Sequence, residues 1–438
     1  MPLTHVAIIG AGLSGALQAI HLARAGATKV TLVERGRAPG RGVAYGTGRP
    51  EHLLNVPARR MSAFPDQPDD FMDWFARTHG GDAEDYAPRK VYGDYICARL
   101  AEAGERIDIV PGEAVDVARA PDGEHLKLAD GREIVADAAI LAPGNFPPAL
   151  PARIDTEALG SAWIGDPWSE FDIEGLGADD AVVLIGTGLT AVDAILTLDA
   201  LGFAGRILAI SRRGLAPRAH GPREPLVAPP PGDLPATCIG MLRHVRRRAG
   251  EVGWMSAVHE LRPITQGIWL AASEAERRRF LRHLRPWWDV HRHRIAPTVA
   301  STVGRLHGEG RLTFAAGRII AAAPEDGRAR VDWRPRGGDR IETARAARIV
   351  NCTGPELDIV RAGEPLFDAL LAAGRIRPDT LRIGIDTDPE TLGAIDRDGR
   401  ASGTLYVIGP PTKGAFWESI AVPDIRLQTE RLAKRLAG

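Results

Sequence analysis

The chain has 438 residues, 44% of them apolar and 25% charged, a composition typical of folded globular proteins that excludes long disorder, collagen and coiled coil. Its 55 Lys and Arg balance 56 Asp and Glu, which argues against a nucleic-acid or membrane-surface partner. No apolar run reaches the ~20 residues of a membrane span. The three cysteines lie more than a hundred residues apart, so no Cys-x-x-Cys pair or zinc spacing exists, and the expected compartment is the reducing cytoplasm.

The N-terminal residues predict a βαβ unit. An apolar strand, His5–Ile9, passes into a Gly-x-Gly-x-x-Gly turn at residues 10–15, a helix to Arg24 and a second strand that ends at Glu34. This order is typical of dinucleotide-binding folds, in which the glycines let a pyrophosphate approach the backbone at the helix N-terminus. Glu34 would accept a hydrogen bond from a ribose 2′-hydroxyl and repel a 2′-phosphate. The alternative is a glycine turn that binds no ligand.

The pattern recurs in the middle of the chain. The strand Ala181–Ile185 leads into a second glycine turn at residues 186–191, followed by a helix and another strand. Where the first unit has Glu34, this unit has Ser211, Arg212 and Arg213. Guanidinium groups bind phosphate in bidentate fashion, so this site is predicted to prefer NADPH over NADH. The alternative is that both arginines are merely solvated.

Two Rossmann units with different ribose-end residues imply two different dinucleotides. This arrangement resembles the two-dinucleotide-binding-domain flavoproteins, which implies an α/β fold with FAD in the N-terminal unit and NADPH in an inserted unit. The expected domains are 1–160 for the first part of the FAD domain, 161–345 for the NADPH domain and 346–438 for the second part of the FAD domain. Segments 138–144 and 348–354 resemble the strand-end motifs that return the chain to the FAD domain.

The same resemblance implies that segments 405–410 and 422–425 hold the ribityl chain and direct a helix N-terminus at the flavin. The FAD contacts expected are Gly10, Gly12, Ser14, Gly15, Glu34, Arg35, Arg41, Asn55, Val56, Val115, Gly144, Gly409 and Ile425. The NADPH contacts expected are Gly186, Gly188, Thr190, Ser211, Arg212 and Arg213. No metal site is expected.

A narrower resemblance rests on four segments: residues 40–47 (GRGVAYGT), 52–58 (HLLNVPA), 286–294 (PWWDVHRHR) and 417–426 (WESIAVPDIR). Together they are similar to a bacterial FAD/NAD(P)-binding protein family of flavin oxidoreductases and hydroxylases. The resemblance covers nearly the whole chain. It specifies the cofactors far better than the substrate.

A helical insertion is expected in the NADPH domain at about 229–305. It opens with the stiff triplet 229–231 (PPP) and contains a capping box at Ser273 and Glu276. A single helix is expected to follow, with an apolar face formed by Phe280, Leu281, Leu284 and Trp288 and a solvated face of arginines. We expect this insertion to be a lid or wall of the substrate pocket, with Trp269, Trp287 and Trp288 excluding water. The alternative is that these tryptophans form the insertion's own small core.

Three functions are compatible with this sequence. The first is an NADPH-dependent FAD monooxygenase, similar to the N-hydroxylases, that acts on a small polar molecule with O2. The second is an NADPH-dependent flavin reductase or dehydrogenase with another acceptor, and the third is a non-catalytic FAD/NADP sensor. The Baeyer–Villiger signature lacks its histidine here, since residues 163–168 read WIGDPW.

The catalytic residues and the oligomeric state stay open at this stage. The pocket candidates are Asn55, His291, His293 and Trp417. For Asn55 and the two histidines, the alternative role is to satisfy hydrogen bonds in loops.

Overall fold

The computed structural model describes residues 4–36, 38–151, 153–168, 173–221 and 234–438. The proline triplet 229–231 expected to open the insertion lies outside these residues. The first part of the chain contains, in order, β1 (His5–Ile9), α1 (Leu13–Arg24), β2 (Lys29–Glu34), α2 (Gly42–Tyr45), α3 (Asp70–His79), α4 (Arg89–Glu102), β3 (Ile107–Pro111), β4 (Ala114–Ala120), β5 (Gly123–Leu128), β6 (Glu133–Ala136) and β7 (Ala138–Leu141).

The middle of the chain forms a second α/β unit with a long helical region between two of its strands. Its elements are α5 (Thr156–Leu159), β8 (Trp163–Ile164), β9 (Ala181–Ile185), α6 (Leu189–Ala200), β10 (Arg206–Ser211), α7 (Cys238–His259), α8 (Thr265–Ala271), α9 (Glu274–His283), α10 (Arg285–Arg292), α11 (Pro297–Gly308), β11 (Leu312–Glu325), β12 (Arg328–Pro335), β13 (Glu342–Ala346) and β14 (Arg348–Asn351). The chain ends with α12 (Pro365–Ala373), β15 (Gly393–Ile395), β16 (Ala401–Val407) and α13 (Val422–Ala437).

The first sheet has the strand order β15-β16-β7-β1-β2-β3. All neighbours from β16 to β3 are parallel, and β15 pairs antiparallel with β16. The central strands are continuous apolar segments, which is typical of parallel sheets covered on both faces. Helices α1 and α13 pack on one face of the sheet, and α12 and the antiparallel sheet β4-β5-β6 pack on the other. The two βαβ units expected from the sequence are therefore present, the first one in this sheet.

The second sheet has the order β13-β12-β11-β10-β9-β14-β8. Strand β14, which the sequence suggested would return the chain to the FAD domain, pairs with β9 and β8 in this sheet. The expected boundary at residue 346 is therefore wrong for these residues, because the apolar edge of β14 fills the space beside β9. The chain returns to the first sheet with β15 and β16.

The helical insertion differs from expectation at one point. The helix expected to carry residues 280–288 on one face is divided into α9 and α10, which meet at Leu284. Pro286 lies in the first turn of α10, where its missing N–H costs no hydrogen bond, so it begins a new helix. Only half of the expected capping box is present: the Ser273 hydroxyl accepts a hydrogen bond from the Glu276 amide at 3.3 Å, whereas Glu276 Oε2 accepts one from the Cys238 amide at 2.6 Å.

The insertion also packs against the last part of the first domain. Trp269 is buried together with Leu381, Ile383 and Trp417, and Trp288 packs against this group. Trp287, by contrast, is 42% exposed. The tryptophans therefore do not form a core of the insertion alone. Among the described residues, no helix is both long and apolar enough to cross a membrane.

Candidate active site

The first glycine turn connects β1 to α1 in a shape that excludes larger side chains. Gly10 has φ 98°, and a Cβ at this position would overlap the Ala142 carbonyl oxygen. A Cβ at Gly15 would overlap the Gly10 carbonyl oxygen. These two glycines are therefore required for the turn and for the close approach of helix and strand.

Gly12 has a different environment from its two neighbours. It is the N-cap residue of α1, and no side chain of the described residues caps the helix. The first amides of α1 are consequently available to an anionic group. A Cβ at Gly12 would lie 3.5 Å from the Cα of Gly42, an ordinary contact.

Glu34 stands at the end of β2, directly beside this turn. Its Oε2 accepts a hydrogen bond from the Ala11 amide at 2.9 Å, and its Oε1 accepts one from the Gly36 amide at 3.2 Å. A pyrophosphate at the helix N-terminus and a ribose at Glu34 would thus belong to one ligand. The residues present fit a dinucleotide that has a free ribose 2′-hydroxyl.

Three further predicted FAD residues gather near the same turn. Gly409, with φ 73°, follows β16 so closely to Ser14 that a Cβ would overlap the Ser14 hydroxyl. The Gly409 amide donates to Gln428 Oε1 at 2.7 Å, which ties this turn to α13. Ile425 is buried in the first turn of α13. Gly144, with φ 75°, follows β7.

Two predicted FAD contacts are arginines that have carboxylate partners of their own. Arg35 Nη1 pairs with Glu364 at 2.5 Å and with Glu113 at 3.4 Å, and the hydrogen bond to Glu364 raises the pKa of the guanidinium. Arg41 pairs with Asp94. Of the remaining two, Val56 packs against the first core and Val115 lies in β4, both half-buried. Contact of these four residues with FAD stays a prediction.

The second glycine turn repeats the geometry of the first. Gly186 has φ 127°, and a Cβ there would overlap the Cys352 carbonyl oxygen. Gly188 is the N-cap residue of α6, again without a side-chain cap from the described residues. The half-buried Thr190 lies in the first turn of this helix. The α6 N-terminus therefore offers a second anion site.

The ribose end of this second unit is built around Ser211. Its Oγ lies 2.8 Å from the Thr187 hydroxyl and accepts a hydrogen bond from the Gly214 amide at 3.0 Å. Arg212 is exposed, and Arg213 Nη2 donates to the His283 carbonyl at 3.4 Å, at the end of α9. Both arginines directly follow β10, and their contact with a 2′-phosphate stays a prediction.

An ion pair that the sequence analysis missed connects the two units. Arg89 at the start of α4 binds Asp193 of α6 in bidentate fashion, at 2.8 and 3.1 Å, and both side chains are buried. His52 Nε2 lies 3.0 Å from the Thr197 hydroxyl of α6. The signal in the sequence is an acid, Asp193, on the buried side of an otherwise apolar helix.

Asn55 lies next to this ion pair. It lines a cleft between the units together with Leu53, Leu189, Val192 and Val299. The backbone carbonyl oxygen of Asn55 accepts a hydrogen bond from His220 Nε2 at 2.9 Å. Asn55 therefore lies between the two units, as a pocket residue would.

The other three pocket candidates lie at the insertion. Trp417 is buried and stacks on Trp269, with ring centroids 4.9 Å apart. His291 is buried and stacks on Trp254 at 5.3 Å. Burial, with Arg292 and other nearby cations, lowers the pKa of His293 to about 3. Trp417 thus belongs to the contact between insertion and first domain, and His293 is neutral near pH 7.

The histidines of segment 286–294 are pocket candidates from the sequence, and an arginine of the same segment also pairs with the last part of the chain: Arg292 Nη2 lies 3.0 Å from Glu418 Oε2. Arg292 and Arg294 join Arg60 and Arg262 in a group that we call the arginine cluster. It lies where loop 55–60, the insertion and residues 417–424 meet. No sequence pattern indicates it, because its members come from three separate segments of the chain.

All three cysteines are free thiols. Burial raises the pKa of Cys97 and Cys352, and burial together with Glu276 raises that of Cys238 to about 11. A thiol with a raised pKa is a poor nucleophile at neutral pH. Within the described residues, no group of three His, Cys, Asp or Glu side chains could hold a metal ion.

Residues 7–146 match the FAD-NAD(P)-binding family, which agrees with the predicted cofactors FAD and NAD(P). No curated protein matches the sequence. Solved structures match over almost the full length. The ornithine N-hydroxylase of Kutzneria sp. 744 is 14% identical with a TM-score of 0.70, covering 99% of both chains.

Two further structures are similar to this chain. The L-lysine 6-monooxygenase of Pseudomonas syringae is 14% identical, with a TM-score of 0.67 and 98% of both chains covered. The bacillithiol disulfide reductase of Bacillus cereus is 13% identical, with a TM-score of 0.60, and the match covers 99% of this chain and 98% of that one. This chain therefore shares the two-Rossmann fold of these solved structures, and its residues 7–146 match the FAD-NAD(P)-binding family model.

Proposed function

We propose that this protein is an NADPH-dependent FAD monooxygenase that hydroxylates a small polar molecule, in the manner of the N-hydroxylases. The first glycine turn would hold FAD, with the α1 N-terminus at the pyrophosphate and Glu34 at a ribose hydroxyl. The second turn would hold NADPH, with Ser211, Arg212 and Arg213 at the 2′-phosphate. FAD, when bound, supplies a hydride acceptor and the capacity to react with O2.

The residues around the two turns would orient and protect this chemistry. Arg89 and Asp193 hold the two units together, which keeps the two bound rings in a fixed relation. The stacked pair Trp269 and Trp417 closes the contact between insertion and first domain against water. A water-excluding wall is what an oxygenase requires and what a simple reductase does not need.

The protonation and pairing of the three cysteines support oxygen as the electron acceptor. All three are free and none has a lowered pKa. Electron transfer through a protein dithiol therefore has no support. The TM-scores point the same way, since the two amino-acid hydroxylases reach 0.70 and 0.67 and the disulfide reductase 0.60.

The second candidate is an NADPH-dependent reductase with an external acceptor. The observation that favours it is the similarity to the bacillithiol disulfide reductase over 99% of this chain. In this case NADPH oxidation would depend on an added acceptor such as a quinone or a low-molecular-weight disulfide, and no oxygen atom would enter a product.

The experiment is NADPH oxidation by the FAD-loaded protein under ¹⁸O2, with a panel of amines, amino acids and carboxylic acids. For a monooxygenase, a substrate lowers hydrogen peroxide release below NADPH consumption, and mass spectrometry finds one ¹⁸O atom in the product. Peroxide equal to NADPH consumed across the panel, together with rapid turnover of quinone or disulfide, would instead establish a reductase. Absence of any NADPH oxidation would contradict both and favour a sensor.

A further inference from the structure

Lys413 is a buried cation without a hydrogen-bond acceptor. The residue is 7% exposed, and its ammonium lies 4.7 Å from the centroid of the Trp417 ring. Within the described part of the chain, this ammonium makes no hydrogen bond or ion pair. An aromatic face attracts a cation but accepts none of its three N–H groups as an oxygen would. Lysine is almost never buried to this degree unless it is paired, so this residue needs an explanation.

The two carboxylates that face Lys413 are engaged by other cations. Glu418 Oε2 lies 3.0 Å from Arg292 Nη2, and Asp289 Oδ2 lies 3.4 Å from Arg285 Nε. Both carboxylates attract the ammonium through space, but neither is in ion-pair contact with it. The protein therefore surrounds Lys413 with charged residues and leaves its N–H groups unsatisfied.

The ionisation of this region follows from its burial. Burial, with Arg292, Lys413 and Arg285 nearby, lowers the pKa of His293 to about 3, so this histidine is neutral near pH 7. Burial and the charge of Arg285 lower the pKa of Lys413 to about 8, which leaves the lysine predominantly charged at neutral pH. A buried ammonium without an acceptor is costly, and such a group is a candidate for contact with a ligand.

Lys413 directly follows a turn that lies beside the first glycine turn. A Cβ at Gly409 would overlap the Ser14 hydroxyl in the first turn of α1. The Thr412 hydroxyl donates to the Gly409 carbonyl at 2.7 Å, and the Lys413 amide donates to the Pro410 carbonyl at 3.2 Å. These hydrogen bonds fix the backbone of Lys413 next to the site proposed for FAD.

The insertion covers the segment that contains Lys413. Trp269 of α8 donates from its Nε1 to the Gly414 carbonyl at 2.8 Å, and its ring stacks on Trp417. Both tryptophans are buried. Bulk water therefore has little access to the ammonium, and a bound ligand is the acceptor that would complete its hydrogen bonds.

We propose that Lys413 donates a hydrogen bond to the flavin ring of FAD and stabilises the reduced ring by its charge. This inference rests on the proposed function for the presence of FAD, but not on the fate of its electrons. Uptake of a hydride adds two electrons and one proton to the neutral oxidised ring and leaves one negative charge on it. A cation held in a site of low dielectric constant favours that anion over the neutral ring.

The test is the midpoint potential of the bound FAD, measured by anaerobic reduction with dithionite against a reference dye. Lys413→Met removes the charge and keeps an unbranched side chain. Loss of a charge-assisted hydrogen bond should weaken binding of reduced FAD at least about tenfold relative to oxidised FAD. For a two-electron couple, this ratio lowers the midpoint potential by about 30 mV.

A second lysine supplies the matched control. Lys434 of α13 is 70% exposed and pairs with Glu430 at 3.1 Å. Lys434→Met makes the same chemical change at the surface and should leave the potential unchanged. A lysine with a merely structural role would affect both redox forms of FAD equally, so an unchanged potential in Lys413→Met would overturn the proposal.

Lys413→Gln decides the question if Lys413→Met does not retain FAD. Glutamine keeps a hydrogen-bond donor but no charge, so this variant should also have a lowered potential. Loss of oxidised FAD from both variants would contradict the proposal, because it assigns the effect of the charge to the reduced form.

The titration contains no NADPH, substrate or O2, which separates it from the test of the reaction. A lowered potential in Lys413→Met, together with no ¹⁸O in any product, would refute the monooxygenase and leave the role of Lys413 intact. Oxygen incorporation by the unmodified protein, together with an unchanged potential in Lys413→Met, would support the monooxygenase and refute the role of Lys413.

Discussion

The buried ion pair between the two units gives the sharpest stability prediction. Asp193→Ala removes both hydrogen bonds to Arg89, at 2.8 and 3.1 Å, and leaves an arginine whose side chain is 13% exposed without its counter-charge. Breaking a buried pair costs about 3 to 5 kcal/mol. Arg89 keeps its Nε hydrogen bond to the Leu53 carbonyl and its position over the Trp168 ring. We therefore expect Asp193→Ala to lower the free energy of unfolding by about 3 kcal/mol, the lower end of this range.

The same helix supplies a matched control. Asp199 of α6 pairs with Arg305 at 2.7 Å, but the side chains are 24% and 46% exposed. Asp199→Ala changes the same residue type in the same helix, so the difference in helix propensity largely cancels. A pair this exposed contributes at most about 1 kcal/mol. The difference in unfolding free energy between the two variants therefore reports how much more the buried interdomain pair contributes than the exposed pair.

The assay is urea unfolding followed by fluorescence and by circular dichroism, since two probes reveal whether the two units unfold together. Arg89→Met, Asp193→Leu and the double variant Arg89→Met/Asp193→Leu form a double-mutant cycle. The double variant should be more stable than Asp193→Leu, because no buried charge remains unpaired. Equal losses for Asp193→Ala and Asp199→Ala, or strictly additive single changes, would refute the reasoning.

Three further predictions concern the cofactors and pH. Gly12→Val should fold, since a Cβ there meets Gly42 at an ordinary 3.5 Å, but should purify without yellow FAD colour; normal FAD content would contradict the first site. Arg212→Ala/Arg213→Ala should raise KM for NADPH about ten- to a hundredfold and leave NADH unchanged in steady-state assays; equal effects would contradict the 2′-phosphate site. Burial lowers the pKa of His21 to about 4 from 6.5, so the unfolded state binds the proton first, and the unfolding free energy should fall by about 3 kcal/mol from pH 6.5 to pH 4. His21→Gln should flatten that pH profile in denaturant titrations, and an unchanged profile would assign the loss to other groups.

Local sequence was sufficient for the two strand–turn–helix units. The glycines of each turn are required by positive φ or by a carbonyl oxygen in the place of a Cβ, as at Gly10 and Gly186. Such constraints act over a few residues, so the spacing in the sequence expresses them directly. The change from Glu34 to Ser211 was visible for the same reason, because both residues end a strand beside a glycine turn.

Strand pairing between distant segments could not be predicted from the local sequence. Strands β7 and β14 are both short strands with an apolar centre, yet β7 pairs with β1 and β14 with β9. Which strand each one pairs with depends on segments far away in the sequence. The break between α9 and α10, by contrast, was visible in the local sequence, because Pro286 favours the start of a new helix. The apolar positions at helical spacing on both sides of Pro286 nevertheless predicted one continuous helix.

Two sets of contacts fix the second unit on the first, and they lie on different elements. One joins α4 to α6 through Arg89 and Asp193, and the other joins the insertion to the last segment through Trp269 and Trp417. A single contact leaves the second unit free to rotate about it, whereas two separated contacts leave only rotation about the line that joins them. Loss of the tryptophan contact would therefore disturb the position of the insertion, while loss of the ion pair would disturb the relation between the two glycine turns.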